Sequence, residues 1–379
     1  MIFDMNGTMN EAMQRMSTGD LAGATRLIQR RLSATSAPAA ATQELATTRG
    51  NTIEGTWREV GGAPPTDAPW PGQTRSERDF RDEHEGAFRE HRFAADAGEL
   101  RYKLFVPRGL ADPAPPLIVM LHGCTQSPDD FARGTRMNAL AQEHGYVVAY
   151  PAQSKRRNAT RCWNWFRSGD QQRGRGEPAL ISGLARHLVN AHGLDARRVY
   201  VAGLSAGGAM AAVLADTYPD VYAAIGVHSG LPVGAAHDLA SAFAVMTRGT
   251  AQSADRGSRS GKRGVPAIVF HGDRDTTVDA CNGAAIVSQC AGTDGCASPA
   301  GAQMRESRES GSVPDGRSYT RTVYRGAEGA LLAEQWLVHG GGHAWFGGDA
   351  SGSYTDPSGP DASAAMLRFF SECARGAPN

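Results

Sequence analysis

A serine flanked by glycines, in the stretch Gly203-Leu-Ser-Ala-Gly-Gly208, constrains the fold of this chain more than any other feature. The residues before it, 199–202, form a short apolar run typical of a buried strand, and residues 206–218 have helical spacing. A serine on so tight a strand-to-helix turn has a strained backbone, and only small neighbours leave room for it. The pattern therefore predicts that Ser205 projects its hydroxyl beyond the end of a sheet as a nucleophile. The alternative is a serine that serves the turn alone.

The rest of the chain repeats this alternation of apolar strand and amphipathic helix. Runs with the length and composition of strands buried on both faces occur at 117–121, 146–150, 199–202, 223–227, 267–270 and 335–338. Helical spacing occurs at 129–144, 177–191, 206–218, 279–289 and 361–374. Residues 91–95 and 99–106 flank a turn and predict a hairpin. The rhythm is typical of the α/β class, with a mostly parallel sheet and helices on both of its faces.

Other segments lack this rhythm. Residues 1–33 carry helical spacing and predict a short N-terminal helical arm, which packs on the body or on a second subunit and so allows a homo-oligomer. Residues 34–80 have the Ala-, Thr-, Ser-, Pro- and Gly-rich composition of a flexible linker, so the catalytic domain is expected at 81–379. Two insertions, 234–264 and 292–318, are predicted to be surface loops or partial lids.

The balance of charge excludes some classes of partner. Thirty-nine basic side chains face 39 acidic ones, whereas a protein that binds nucleic acid normally has a clear basic excess. No apolar run approaches the roughly 18 residues that a membrane span requires. We therefore expect neither nucleic acid nor a membrane as partner.

The cysteines and the N-terminus bear on compartment and cofactors. The chain begins without the basic, then apolar, then small-residue pattern of a secretory signal, which predicts a cytoplasmic protein. The six cysteines are an even number, however, and are compatible with disulfides in a secreted one. No Cys-x-x-Cys pair occurs, so a structural zinc site is not expected. The sequence predicts neither a metal nor a cofactor.

A serine nucleophile needs a base to take its proton and an acid to orient the base, typically in the chain order Ser, Asp, His. The acid is assigned to Asp275, which lies beyond a turn after the strand 267–270. Its competitors are Asp273, better placed to shape that turn, and Asp279, better placed to cap the next helix. The base is assigned to His343, because three glycines precede it and give its loop the freedom to approach Ser205. Its competitors His228, His271 and His339 are expected to form local hydrogen bonds instead.

Two backbone amides are predicted to form the oxyanion hole. One belongs to Ala206, directly after the nucleophile. The other belongs to Cys124, in the loop after strand 117–121, where Gly123 lets the backbone turn inward. For the Cys124 side chain the sequence leaves open a disulfide or a buried thiol.

Several motifs together resemble the polyhydroxybutyrate depolymerase family of esterases, which is close to the feruloyl and acetylxylan esterases. They are Leu121-His-Gly-Cys-Thr-Gln126, Cys162-Trp-Asn-Trp-Phe166, Gly203-Leu-Ser-Ala-Gly-Gly208, His271-Gly-x-x-Asp275-x-x-Val278 and Gly340-Gly-Gly-His-Ala-Trp345. The resemblance covers residues 90–373. It implies the α/β-hydrolase fold, the triad Ser205, Asp275 and His343, the oxyanion amides of Cys124 and Ala206, and a disulfide between Cys124 and Cys162.

The substrate is predicted less directly. Four aromatic residues, Trp163, Trp165, Trp345 and Phe346, fall in loops near the proposed site, where their faces could bind a polyester backbone or a phenolic acyl group. The alternative is that some of them belong to the core.

The leading hypothesis is a serine carboxylesterase that hydrolyses 3-hydroxyalkanoate oligomers or polyesters through an acyl-enzyme. A second hypothesis keeps the mechanism and changes the acyl group, to feruloyl or acetyl groups on plant polysaccharide or another polymer. A third, from a different class, is a binding protein that has the fold without the activity.

Overall fold

The structure, a computed structural model, describes residues 86–249, 264–291 and 304–374. The predicted arm and linker, residues 1–33 and 34–80, lie outside these ranges. The described residues belong to one unit, Ser76–Asn379.

The strands and helices follow the predicted alternation. The strands are β1 (Phe88–Ala95), β2 (Gly98–Phe105), β3 (Leu117–Leu121), β4 (Val147–Ala152), β5 (Val199–Leu204), β6 (Ala224–His228), β7 (Ala267–Gly272), β8 (Arg305–Ser312), β9 (Ser318–Arg325), β10 (Leu331–Val338), β11 (Trp345–Phe346) and β12 (Thr355–Asp356). The helices are α1 (Pro128–Thr135), α2 (Met137–His144), α3 (Gly176–His192), α4 (Ala206–Thr217), α5 (Leu239–Arg248), α6 (Cys281–Ala291) and α7 (Ala362–Glu372), with a short 3₁₀ helix at Ser168–Gln171.

Ten of these strands form one sheet in the order β1-β2-β4-β3-β5-β6-β7-β10-β9-β8. The central strands β4, β3, β5, β6, β7 and β10 are parallel, and the pairs at the two margins are antiparallel. The predicted mostly parallel sheet and the predicted hairpin β1–β2 are confirmed. Because parallel strands place their carboxyl ends at one edge, the loops after β3, β5, β6, β7 and β10 meet there.

The sheet separates two apolar cores. In β3, Leu117, Val119 and Leu121 face one core, which contains side chains of α3, α4 and α6. Ile118 and Met120 face the other, which contains side chains of α1, α2 and α7. Both faces are therefore covered, which explains why the central strands are apolar throughout rather than alternating.

Three predictions of local structure were wrong. The single helix expected at 129–144 is two helices, because Arg136 adopts a left-handed backbone with φ 54°. The insertion 234–264 contains α5, whose start is capped by Asp238 through a hydrogen bond from the Ser241 amide. The insertion 292–318 contains β8, an edge strand of exposed charged and small residues with no apolar period to reveal it. Within the described ranges, none of the helices is both long and apolar enough to span a membrane.

Candidate active site

The carboxyl ends of β5, β7 and β10 place Ser205, Asp275 and His343 at the same edge of the sheet. Ser205 directly follows β5, Asp275 lies three residues after β7, and His343 lies five residues after β10. In the sheet, β7 pairs with β10, and only β6 lies between β7 and β5. The topology thus gathers the three residues that the sequence placed in the order Ser, Asp, His.

Ser205 has a backbone that few side chains adopt, with φ 57° and ψ −118°. Its amide donates to the His228 carbonyl at 2.8 Å, which anchors the turn to the neighbouring strand β6. A Cβ at Gly207 would lie 2.1 Å from the Leu121 carbonyl oxygen, so this position admits only glycine. The close approach of α4 to β3 and the strained backbone of Ser205 form the tight strand-to-helix turn that the glycines predicted.

Asp275 holds His343 in a defined orientation. His343 Nδ1 lies 2.7 Å from Asp275 Oδ2, and the Asp275 side chain has no exposed surface. The other carboxylate oxygen, Oδ1, accepts from the amides of Thr277 at 2.9 Å and Val278 at 2.8 Å. Burial raises the pKa of Asp275, but the hydrogen bond and charge of His343 and the Val278 amide outweigh it, so the pKa lies below its usual value. An ionised Asp275 keeps the His343 proton on Nδ1 and leaves Nε2 as the basic nitrogen.

Ser205 Oγ and His343 are near one edge but do not form a hydrogen bond in this structure. Among the described residues Ser205 Oγ has no hydrogen-bond partner, whereas its backbone has two. Catalytic hydrogen bonds are often long without substrate and shorten in the Michaelis complex. The hydrogen bond between Asp275 and His343 is therefore formed in this structure, whereas the one between Ser205 and His343 is not.

The competing acids have other partners. Asp273 accepts from His339 Nδ1 at 2.9 Å and from the Gly340 amide at 2.7 Å, so it shapes the loop after β10. Asp279 accepts from the Cys281 amide at 2.9 Å, at the start of α6.

Two of the three competing histidines, His228 and His271, are buried, whereas His339 is half-exposed. His228 Nε2 accepts from the Phe346 amide at 3.1 Å, and His271 Nε2 donates to the Val278 carbonyl at 2.8 Å. Burial lowers the pKa of both rings, so both remain neutral at pH 7.

The loop after β3, residues 122–126, presents the Cys124 amide. His122 donates from Nδ1 to the Gly123 carbonyl at 2.7 Å and accepts at Nε2 from the Gln153 amide. Burial lowers the pKa of His122 to about 4, so the ring stays neutral at pH 7, with Nδ1 as the donor and Nε2 as the acceptor. Within the described ranges neither the Cys124 amide nor the Ala206 amide donates to a protein acceptor. Two unused amides beside a nucleophile are what an oxyanion hole requires.

A disulfide joins Cys124 to Cys162, the pairing that the resemblance implied, across a separation of 38 residues. The same two loops are also joined by a hydrogen bond from the Thr125 amide to the Thr160 carbonyl at 2.7 Å. The disulfide therefore fixes the residue whose amide would bind the oxyanion.

We expect loss of this disulfide to lower kcat about tenfold to a hundredfold. Outright loss of one oxyanion donor costs roughly 100- to 1,000-fold, and the loop keeps its remaining hydrogen bonds. The measurement is kcat and KM for a p-nitrophenyl ester with the double variant Cys124→Ala/Cys162→Ala and with reduced wild type. The double variant should not respond to reductant. An unchanged kcat in both would show that the disulfide does not position the amide.

Sequence reasoning missed Glu177, a buried carboxylate behind this loop. It accepts from Gln153 Nε2 at 2.5 Å, the Asn164 amide at 2.7 Å and Asn164 Nδ2 at 2.6 Å. Gln153 also donates to the Cys162 carbonyl at 3.0 Å, so Glu177 supports the disulfide-bearing loop. Burial raises the pKa of Glu177 to about 6 despite these donors.

The raised pKa of Glu177 predicts a pH-dependent stability. Folding favours the protonated form, so the stabilisation is present below the unfolded-state pKa near 4.5 and is lost as pH rises through about 6. The shift corresponds to about 2 kcal/mol of unfolding free energy. The difference in unfolding free energy between wild type and Glu177→Gln should fall by about that amount between pH 4.5 and 7, measured by denaturant titration. A difference that does not change with pH would contradict the assignment.

The four aromatics expected to bind substrate are buried. Trp163, Trp165, Trp345 and Phe346 have exposed fractions of 0, 5, 1 and 0%. The indole of Trp163 donates to the His122 carbonyl at 3.1 Å, and that of Trp345 donates to Ser363 Oγ at 3.0 Å. Their rings pack under the loops rather than face a ligand, so the prediction of substrate contact was wrong and the core alternative holds.

Comparisons with known proteins agree with this geometry. Residues 100–312 match the family described as Esterase PHB depolymerase. The poly(3-hydroxyalkanoate) depolymerase C of Paucimonas lemoignei is 35% identical over 259 residues, which are 66% of this chain and 60% of that protein. The feruloyl esterase B of Thermothelomyces thermophilus is 34% identical over 151 residues, 40% of this chain and 50% of that protein. The chain thus spans about half to three fifths of the length of these curated relatives.

A solved structure supports the fold. The acetyl xylan esterase from Aspergillus awamori superposes with a TM-score of 0.57 at 19% identity, over 76% of this chain and 100% of that one. With the sheet order described above, this likeness confirms the predicted α/β-hydrolase fold.

Proposed function

Because this chain belongs to the PHB depolymerase family of esterases, we propose that it is a serine hydrolase that cleaves ester bonds of 3-hydroxyalkanoate oligomers or polyesters. The observation that carries the proposal is the hydrogen bond of 2.7 Å between His343 and the buried Asp275, at the sheet edge that presents the strained Ser205. These three residues supply a nucleophile, a base and an orienting acid without any further group.

The proposed reaction has two halves. Ser205 Oγ attacks the ester carbonyl while His343 Nε2 takes its proton, and the amides of Cys124 and Ala206 stabilise the oxyanion. The tetrahedral intermediate collapses, and the imidazolium returns the proton to the leaving alcohol. A water molecule, deprotonated by His343, then attacks the acyl-enzyme, and the acid product leaves with Ser205 restored.

A second candidate is a feruloyl or acetyl esterase acting on polysaccharide. It is favoured by the 34% identity to a feruloyl esterase over 151 residues. The two candidates share every catalytic residue and differ only in the groups that surround the ester.

A substrate panel distinguishes them. We expect kcat/KM for 3-hydroxybutyrate trimer to exceed that for a feruloylated sugar and for acetylated xylan by at least about tenfold, the effect of about 1.4 kcal/mol of transition-state binding. The reverse ranking would favour the second candidate. Absence of hydrolysis of all three, together with p-nitrophenyl butyrate, would favour a binding protein.

The compartment is also a proposal. The Cys124–Cys162 disulfide supports an oxidising compartment, since such bonds are rare in the cytosol, and so favours the secreted alternative over the cytoplasmic expectation. The homo-oligomer expected through the arm stays a prediction, because the arm lies outside the described residues.

A further inference from the structure

Left-handed backbones gather around the oxyanion loop. Thr125 has φ 68°, Arg161 has φ 57° and Tyr354 has φ 52°, in addition to Ser205. Positive φ is costly for residues with bulky side chains, and such conformations persist where the surrounding structure requires them, often at binding sites. We call the side chains of Thr125, Arg161 and Tyr354 the rim of the site. The strained backbone of these three residues indicates that the direction of their side chains is important for binding.

Arg161 brings an unpaired positive charge to the rim. Its Nη1 donates to the Gln126 carbonyl at 3.3 Å, two residues after Cys124. None of the ion pairs among the described residues involves Arg161, whose side chain is half-buried. The neighbouring Asp130 is already engaged, because it accepts from the Ser353 amide at 3.0 Å and from Gln126 Nε2 at 3.1 Å. A guanidinium with unused donors at this place suits a carboxylate ligand.

Tyr354 supplies an exposed aromatic ring that contacts the same loop as Arg161, residues 122–126. It is 41% exposed, and the only other exposed large apolar side chain in the described ranges is Met304. Its hydroxyl lies 3.4 Å from Thr125 Oγ1, and its carbonyl accepts from the Trp345 amide at 2.7 Å. Since Trp345 follows His343 by two residues, Tyr354 connects the oxyanion loop to the loop of the base. The buried tryptophans do not offer substrate such a surface.

We propose that Arg161 and Tyr354 form a subsite for the carboxylate-terminated segment of an ester oligomer, with the carboxylate on Arg161 and the apolar chain against Tyr354. In a linear hydroxyalkanoate oligomer the free carboxylate lies on the alcohol side of every ester bond. The subsite therefore holds the leaving alcohol and selects bonds close to the carboxyl terminus. This inference rests on the proposed ester hydrolysis and adds the class of substrate end that the rim recognises.

The subsite predicts that KM depends on the charge at the end of the substrate. Wild type should hydrolyse 3-hydroxybutyrate trimer as the free acid with a KM about tenfold below that of its methyl ester, corresponding to one charge-assisted contact. The preference should weaken as ionic strength rises, because salt screens a partly exposed pair. The first product released from the acid should be the carboxyl-terminal monomer.

Variants assign the preference to the two residues. Arg161→Gln should raise KM for the acid about tenfold and remove the preference for the acid over the methyl ester. Because Arg161 also bonds the oxyanion loop, any change in kcat should be the same for the acid, the methyl ester and p-nitrophenyl butyrate. Tyr354→Ala should raise KM for both the acid and the methyl ester several-fold, whereas Tyr354→Phe should retain most of the binding. The matched controls are Arg156→Gln, an exposed arginine earlier in the same loop, and Met304→Ala; both should behave as wild type.

Each outcome bears on one claim. Equal KM for acid and methyl ester in wild type, or a preference that survives Arg161→Gln, would overturn the subsite and leave ester hydrolysis standing. A wild type that hydrolyses neither trimer nor p-nitrophenyl butyrate would overturn the proposed function itself. A preference that disappears in Arg161→Gln and persists in Arg156→Gln supports the subsite.

Discussion

Ser205→Ala is expected to lower kcat for ester hydrolysis on the order of a million-fold, the loss typical of removing the nucleophile of a serine hydrolase. The residual rate would come from the oxyanion amides and from substrate binding alone. The fold should persist, because the turn at Ser205 is held by backbone hydrogen bonds to His228 and Ala209 and by the glycines around it. The measurement is the initial rate on p-nitrophenyl butyrate, with thermal unfolding as the check on folding.

Ser229→Ala is a matched control for that variant. Ser229 follows β6, the strand next to β5, and also has a left-handed backbone with φ 48°. It is buried, so its replacement tests the cost of losing a hydroxyl at a strained position without touching the proposed chemistry. Comparable losses in the two variants, or a Ser205→Ala protein with wild-type activity, would contradict the assignment of Ser205.

Asp275→Asn is expected to lower kcat about ten-thousand-fold, by reversing the tautomer of His343. In this structure Asp275 Oδ1 faces two amide donors, from Thr277 and Val278. The asparagine carbonyl must take that place, so its NH₂ group faces His343 Nδ1. Nδ1 then has to accept, Nε2 carries the proton, and the ring cannot take the proton of Ser205.

A second Asp–His pair supplies the control. Asp273 lies 2.9 Å from His339 Nδ1 and also accepts from the Gly340 amide, much as Asp275 does with its own partners. Asp273→Asn should change kcat only a few-fold, because His339 already bonds Thr320 Oγ1 through Nε2 at 2.9 Å. Equal losses in the two asparagine variants would show that the loop structure matters rather than the tautomer of His343.

The positions of the three proposed catalytic residues at one edge of the sheet could be predicted from the sequence, because chain order and strand ends determine them. The apolar strands, the glycines around Ser205 and the positions of Asp275 and His343 after later strands all carry local signals. A parallel sheet then brings those strand ends to one edge whatever the details of the loops.

The surroundings of the site could not be predicted from the sequence in the same way. A tryptophan in a loop gives the same signal whether its ring faces substrate or, like Trp163, reaches a buried carbonyl. Glu177, at the start of a helix, reads as an ordinary exposed acid interacting with the helix dipole, yet the fold buries it among Gln153 and Asn164. No local pattern in the sequence indicates that Tyr354 lies at the site, because its position depends on contacts with a loop more than two hundred residues earlier.

The most direct test of the central claim is labelling of the folded protein with a serine-directed fluorophosphonate, read by intact mass and peptide mapping. The proposed mechanism predicts one covalent adduct per chain, located on Ser205, with esterase activity lost in proportion to labelling. Asp275→Asn should react far more slowly, and Ser205→Ala should not react. Full esterase activity in a protein that takes up no label, or an adduct on another residue that abolishes activity, would contradict the assignment of Ser205 as the nucleophile.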